Sequence, residues 1–161
     1  MPKDRRVVSN TSPLLNLALI DRLDLLRSQF SGLEVPEQVW NEIHAGERGT
    51  DALEELRNEG FLNIVSVAED ELFREIREDI DRGEAAALRY ALERDADLIL
   101  LDEKEARNVT RRHEIPRTGV IGILLKGANE GDVDDLAEEL DALQDAGFWI
   151  SDELYEEILD E

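Results

Sequence analysis

Four side chains with oxygen donors, Asn10, Glu42, Glu84 and Asp102, are this chain's candidates for chemistry, and the positions of Asn10, Glu84 and Asp102 point to it directly. Asn10 directly follows the apolar run Val7-Val8-Ser9, and Asp102 directly follows Leu98-Ile99-Leu100-Leu101. Both runs read as strands, so both polar residues belong at strand carboxyl ends. Glu84 opens the alanine- and leucine-rich stretch that leads into the second of these strands. A helix running antiparallel to its strand starts at the strand's carboxyl edge, which puts Glu84 on the same rim. Glu42 lies inside a helical pattern, and pattern alone does not place it. Carboxylates gathered on one rim repel one another and partly protonate unless a cation sits among them. Oxygen ligands suit a hard divalent ion such as Mg²⁺. Each residue also has a plainer reading. Asn10, Thr11 and Ser12 could cap the first helix, Glu84 could be a first-turn acid favoured by the helix dipole, Asp102 could cap the helix after it, and Glu42 could be one more surface acid.

The elements that must position these residues alternate along the chain. Arg5 to Ser9 predicts a strand, and Pro13 after the polar Asn-Thr-Ser predicts a helix start. A second helix follows Asp21. Leu33 to Pro36 reads as a strand, Glu37 to Ala45 and Thr50 to Asn58 as helices with Gly60 as a terminator, and Phe61 to Val67 as a half-buried strand. Helices are expected from Glu69 to about Asp79, from Glu84 to Arg94 and from Glu103 to Arg112. The apolar run after Asp97 has the character of a buried parallel strand, and Ile115 to Arg117 of a last short one before a helix near Thr118. Two acidic amphipathic helices, Val133 to Gln144 and Ser151 to Leu159, close the sequence around Phe148, Trp149 and Ile150. Alternating strands and helices predict an α/β fold with a parallel sheet of about five strands covered by helices on both faces. Ligands in such folds gather beyond the carboxyl ends of the strands. The expected organisation is one domain over 1–161, with a core over about 5–130 and a helical extension over 131–161.

Composition narrows the classes. The 161 residues contain no cysteine, which removes thiol redox chemistry and cysteine-ligated zinc or iron–sulfur centres. No charged-then-apolar leader and no apolar run near the roughly 18 residues of a membrane span is visible, so a cytoplasmic protein without membrane contact is expected. Against 18 basic residues stand 40 acidic ones, for a formal net charge of -22. Disorder is not the explanation, because 42% of the residues are hydrophobic and fall in periodic blocks. Lysine is confined to Lys3, Lys104 and Lys126, and this balance resembles that of proteins from extreme halophiles. The Debye length of about 3 Å at 1 M salt silences repulsion between exposed carboxylates.

Several segments together resemble the PIN-domain ribonucleases, the fold of VapC-type toxins, and more closely a PIN-like branch found in bacteria and archaea. The carriers are Val7 to Leu14, Val35-Pro36 with Val39-Trp40-Asn41-Glu42-Ile43, Gly83 to Leu88, Leu100-Leu101-Asp102-Glu103 with Ala106-Arg107, and Thr118 to Gly122. No single piece is decisive; their order and spacing together are fairly specific, and the resemblance runs from Val7 to about Lys126. The resemblance implies a Mg²⁺- or Mn²⁺-dependent endoribonuclease, the toxin half of a toxin–antitoxin pair, with an RNA substrate, an antitoxin protein as partner and a homodimeric state. It puts Asn10 at the first ligand position, where a carboxylate usually stands, Glu42 at the second, Glu84 at the third and Asp102 at the last. Ser12, Arg107 and Thr118 are candidates for touching substrate. A surface ion pair is an equal reading for Arg107, and a helix cap the better one for Thr118. His44 and His113 read as surface residues.

Asn10 brings an amide oxygen without charge, so a PIN-like binding or regulatory protein without turnover is the competing expectation. A haloacid-dehalogenase-type phosphatase would need Asp-x-Asp after the first strand, which Ser-Asn-Thr-Ser does not supply, and the acidic pair of a receiver domain is also missing.

Overall fold

The computed structural model describes residues 5–46, 48–78, 80–102 and 115–160. The helix expected over 103–112, with Arg107, and His113 lie outside the described residues. In chain order the elements are β1 (Val7–Ser9), α1 (Thr11–Leu19), α2 (Asp24–Gln29), β2 (Leu33–Pro36), α3 (Glu37–Ala45), α4 (Thr50–Asn58), β3 (Leu62–Val65), α5 (Glu71–Arg77), α6 (Arg82–Arg94), β4 (Leu98–Leu100), β5 (Arg117–Thr118), α7 (Val120–Asn129), α8 (Leu136–Asp145) and α9 (Asp152–Leu159).

The five strands form one sheet in the order β3-β2-β1-β4-β5, and every neighbouring pair is parallel. The fold is therefore α/β with a parallel five-stranded sheet, as expected. From β1 the chain builds outward through β2 to β3, then returns to the other side of β1 to lay down β4 and β5. The direction of winding reverses between β1 and β4, so their carboxyl ends flank the crevice at which open α/β sheets take ligands. In register, Val7, Val8 and Ser9 stand opposite Leu98, Ile99 and Leu100. Val7, Val8, Ile99 and Leu100 are buried, as parallel strands with both faces covered must be.

Against this sheet, α6 packs on β1, β2 and β4, and also touches α3 and α5. Its buried side is Gly83, Ala85, Ala86, Ala87, Leu88, Tyr90 and Ala91, small residues that let a helix backbone approach strands closely. The helix begins at Arg82, two residues before the expected start, because Asp81 caps it: the Asp81 carboxylate accepts from Glu84 N–H at 2.8 Å. Similarly, α1 begins at Thr11, with Pro13 inside its first turn. Proline costs nothing there, since the first N–H groups of a helix have no intrahelical partner.

Toward the chain's later part, β5 is Arg117–Thr118 instead of 115–117. Thr118 is thus the end of a strand, and the cap position of α7 belongs to Gly119; the cap expected at Thr118 is corrected accordingly. Gly119 must be small, because a Cβ there would lie 2.5 Å from the Leu101 carbonyl oxygen. The closing helices start later than their apolar pattern suggested, at the side-chain caps Asp135 and Ser151. They cover the core through Leu140, Leu143 and Ile158. Among the described residues no helix is long and apolar enough to cross a membrane.

Candidate metal centre at the carboxyl edge

Asn10 leaves β1 still hydrogen-bonded to the sheet, its N–H donating to the Leu100 carbonyl at 3.0 Å. It is 1% exposed. It occupies the N-cap position of α1, yet its side chain makes no cap hydrogen bond, so capping does not account for the amide. On the adjacent strand, Leu101 N–H donates to the Thr118 carbonyl at 2.9 Å, and Asp102 follows, half-buried, as β4 ends. The two residues thus flank the crevice where the winding reverses.

Glu42, the residue that pattern did not place, is drawn into this edge by two hydrogen bonds. Thr11 Oγ1 donates to one carboxylate oxygen at 2.9 Å, and Gly83 N–H donates to the other at 2.9 Å. The second bond needs the glycine, since a Cβ at position 83 would fall 2.2 Å from Glu42 Oε1. Glu42 therefore joins the start of α1 to the start of α6, next to Glu84. Burial raises the proton affinity of Glu42; the Thr11 hydroxyl works against this, the Asp81 charge adds to it, and the Gly83 N–H again lowers it.

Glu84 is 4% exposed, in the first turn of α6. The fold supplies a reason to hold a carboxylate there, because a helix N-terminus carries partial positive charge. Burial of an acid is otherwise expensive, and the dipole offsets only part of that cost.

The structure thus joins Asn10, Thr11, Glu42, Gly83 and Glu84 through adjacent residues and hydrogen bonds, and sets Asp102 just past the end of the strand that pairs with β1. Ser12 is half-buried in the first turn of α1, and Thr118 lines a cleft that also contains Asp102. Thr11, Asp81 and Gly83 were missed as site residues. Asp81-x-x-Glu84 is a capping signature that was legible, whereas nothing local announces that Thr11 and Gly83 meet Glu42.

The donor chemistry fits a hard divalent ion: one amide and three carboxylates, all oxygen. The placement is looser than the chemistry. Among the described residues no three His, Cys, Asp or Glu side chains are grouped so that they could hold an ion together, and Glu42 has both oxygens engaged by protein donors.

No curated protein matches the chain. A family profile described as PIN domain matches residues 6–161, so the match runs through the closing helices as well as the α/β core. The chain belongs to the PIN domain family.

Proposed function

We propose that this protein is a Mg²⁺- or Mn²⁺-dependent endoribonuclease acting at the carboxyl edge of its sheet, as the toxin of a toxin–antitoxin pair. The observation that carries the reading is that Asn10 and Asp102 follow the paired strands β1 and β4, where the winding reverses, with Glu42 held against the backbone of Gly83 beside Glu84. PIN domains commonly bind Mg²⁺ or Mn²⁺, and Asn10, Glu42, Glu84 and Asp102 would hold the ion. When bound, such an ion lowers the pKa of a coordinated water and offsets charge on a phosphate.

The chain's own residues do the rest. Asn10 presents an amide oxygen that orients a water without adding charge. Glu84 and Asp102 supply negative charge at the crevice. Glu42, fixed by Thr11 and Gly83, supplies the third carboxylate, and the proton of the attacking water passes to solvent. The water oxygen bonds to phosphorus, the bond from phosphorus to the leaving ribose oxygen breaks, and that oxygen takes a proton from solvent.

Asp102→Asn and Glu84→Gln are each expected to lower RNA cleavage about a hundredfold or more in molar KCl with Mn²⁺. Equal cleavage by wild type and both variants would refute the assignment.

One observation favours a second reading, a PIN-like binding or regulatory protein without turnover. The first ligand position is a buried amide in place of a carboxylate. Calorimetry with Mn²⁺ separates the two, since the nuclease must bind the ion at the named residues and a binding protein need not. A gain of activity in Asn10→Asp would mark the chain as a weakened enzyme.

A further inference from the structure

We infer that the cleft beside Asp102 receives the base of one unpaired nucleotide, with Phe148 as its stacking platform and Arg117 at the phosphate end. The inference rests on the ribonuclease reading and names a part of the substrate site that reading leaves open. The cleft measures about 330 Å³, and its walls include Asp102, Arg117, Thr118, Ile121, Leu125 and Phe148. That volume is near the lower end of small-ligand pockets, roughly 300–1,000 Å³. A single planar group fits it.

The walls divide by chemistry. Ile121 and Leu125 lie one turn apart on α7, and with Phe148 they form an apolar side suited to a ring face. Phe148 is held firmly between α8 and α9: its N–H donates to the Leu143 carbonyl at 2.9 Å, the next residue but one, Ile150, is buried, and Gln144 Nε2 donates to the Ile150 carbonyl at 3.2 Å. A backbone anchored in this way holds the Phe148 ring at the cleft wall, which lowers the ordering cost when a base stacks on it.

The other side is suited to an anion. Arg117 is exposed and forms no ion pair among the described residues, and it is the arginine that lines this cleft. In a chain of net charge -22, a guanidinium left unneutralised beside Asp102 keeps its planar fork open for a phosphate. The first turn of α7, a ten-residue helix without a side-chain cap, lines the same cleft. An apolar peptide side chain would use neither feature.

Stacking also answers a difficulty of the whole molecule. Most RNA-binding proteins gain affinity by neutralising phosphates, a term that salt weakens, and this acidic surface offers little of it. Base–aromatic stacking does not depend on net charge.

The test is binding of a 5′-labelled oligouridylate hexamer to the full chain, read by fluorescence anisotropy in 2 M KCl with EDTA so that no cleavage occurs. Phe148→Ala is expected to weaken binding about tenfold, Phe148→Trp to restore it, and Arg117→Gln to weaken it severalfold, all with unchanged melting temperature. Absence of binding by wild type, or equal binding by wild type, Phe148→Ala and Arg117→Gln, overturns the inference. If these losses occur and wild type nevertheless fails to cleave with Mn²⁺, the cleft stands as a nucleotide site and the nuclease reading falls. If wild type cleaves and the variants keep its Kd and KM, the cleft assignment alone falls.

Discussion

Glu42 answers to two demands that pull its charge in opposite directions. Burial favours the protonated form, while the Thr11 hydroxyl and Gly83 N–H favour the carboxylate. Burial is the larger effect, so the folded state holds the proton above 4.5, the ordinary value for a glutamate. The folded protein then binds more protons than the unfolded chain just above that pH, and stability must fall as pH climbs through this window. Glu42→Gln removes the titration. In thermal melts between pH 4 and 7, the variant is expected to lose less stability with rising pH than wild type; parallel curves would show that burial of Glu42 costs nothing. At this scale, the sequence disclosed residues attached to ends of elements. Asn10 and Asp102 follow apolar strand runs, and Glu84 follows from helix direction. Glu42 was not placed by pattern, since its position depends on a hydrogen bond to a residue 41 positions away.

Between elements, the junction of α5 and α6 is held by Asp70. Its carboxylate caps α5 by accepting from Phe73 N–H at 3.0 Å and is gripped at two points by Arg89 from α6, at 3.2 and 2.8 Å. The Arg89 hydrogen bonds, followed by the Phe73 N–H, hold the Asp70 pKa at about 2, below its ordinary 3.8. A depressed carboxylate contributes stability above the unfolded value, and that contribution is lost as pH falls through the folded one. Asp70→Asn should therefore lower the melting temperature at pH 7 and shrink the acid-induced loss between about pH 4 and pH 2. A variant whose melting temperature matches wild type at pH 7 would assign the contact no weight. Element identity was well marked in the sequence: β2, α3 and α4 span the residues their patterns predict. Boundaries moved where a cap decided them, at Asp81 and Asp135, because any of several nearby acids in so acidic a chain can serve as cap.

For the whole molecule, charge is the dominant physical fact. The exposed pairs Arg27–Glu59 and Arg82–Glu69 contribute little and weaken in salt. Repulsion among the surplus carboxylates weakens as well, since the Debye length falls from about 10 Å at 0.1 M to about 3 Å at 1 M. With 40 acidic residues against 18 basic ones, relief of repulsion is the larger change. The melting temperature is expected to rise between 0.1 and 2 M KCl by scanning calorimetry; a flat or falling trend would contradict salt adaptation. A parallel sheet was legible from alternation, but its order was not. Periodicity reports which face of a strand is buried and says nothing about its neighbours, and the placement of β4 against β1 is a pairing across some 90 residues.

That late pairing governs when the acidic edge can exist during synthesis. Asn10, Glu42 and Glu84 are joined to the chain before residue 102, and Asp102 takes its place only once β4 has slotted in beside β1. Translation proceeds from the amino end, so a nascent chain halted before β4 carries three of the four proposed donors and lacks the strand that brings the fourth. The edge is thereby incomplete until most of the polypeptide has been made.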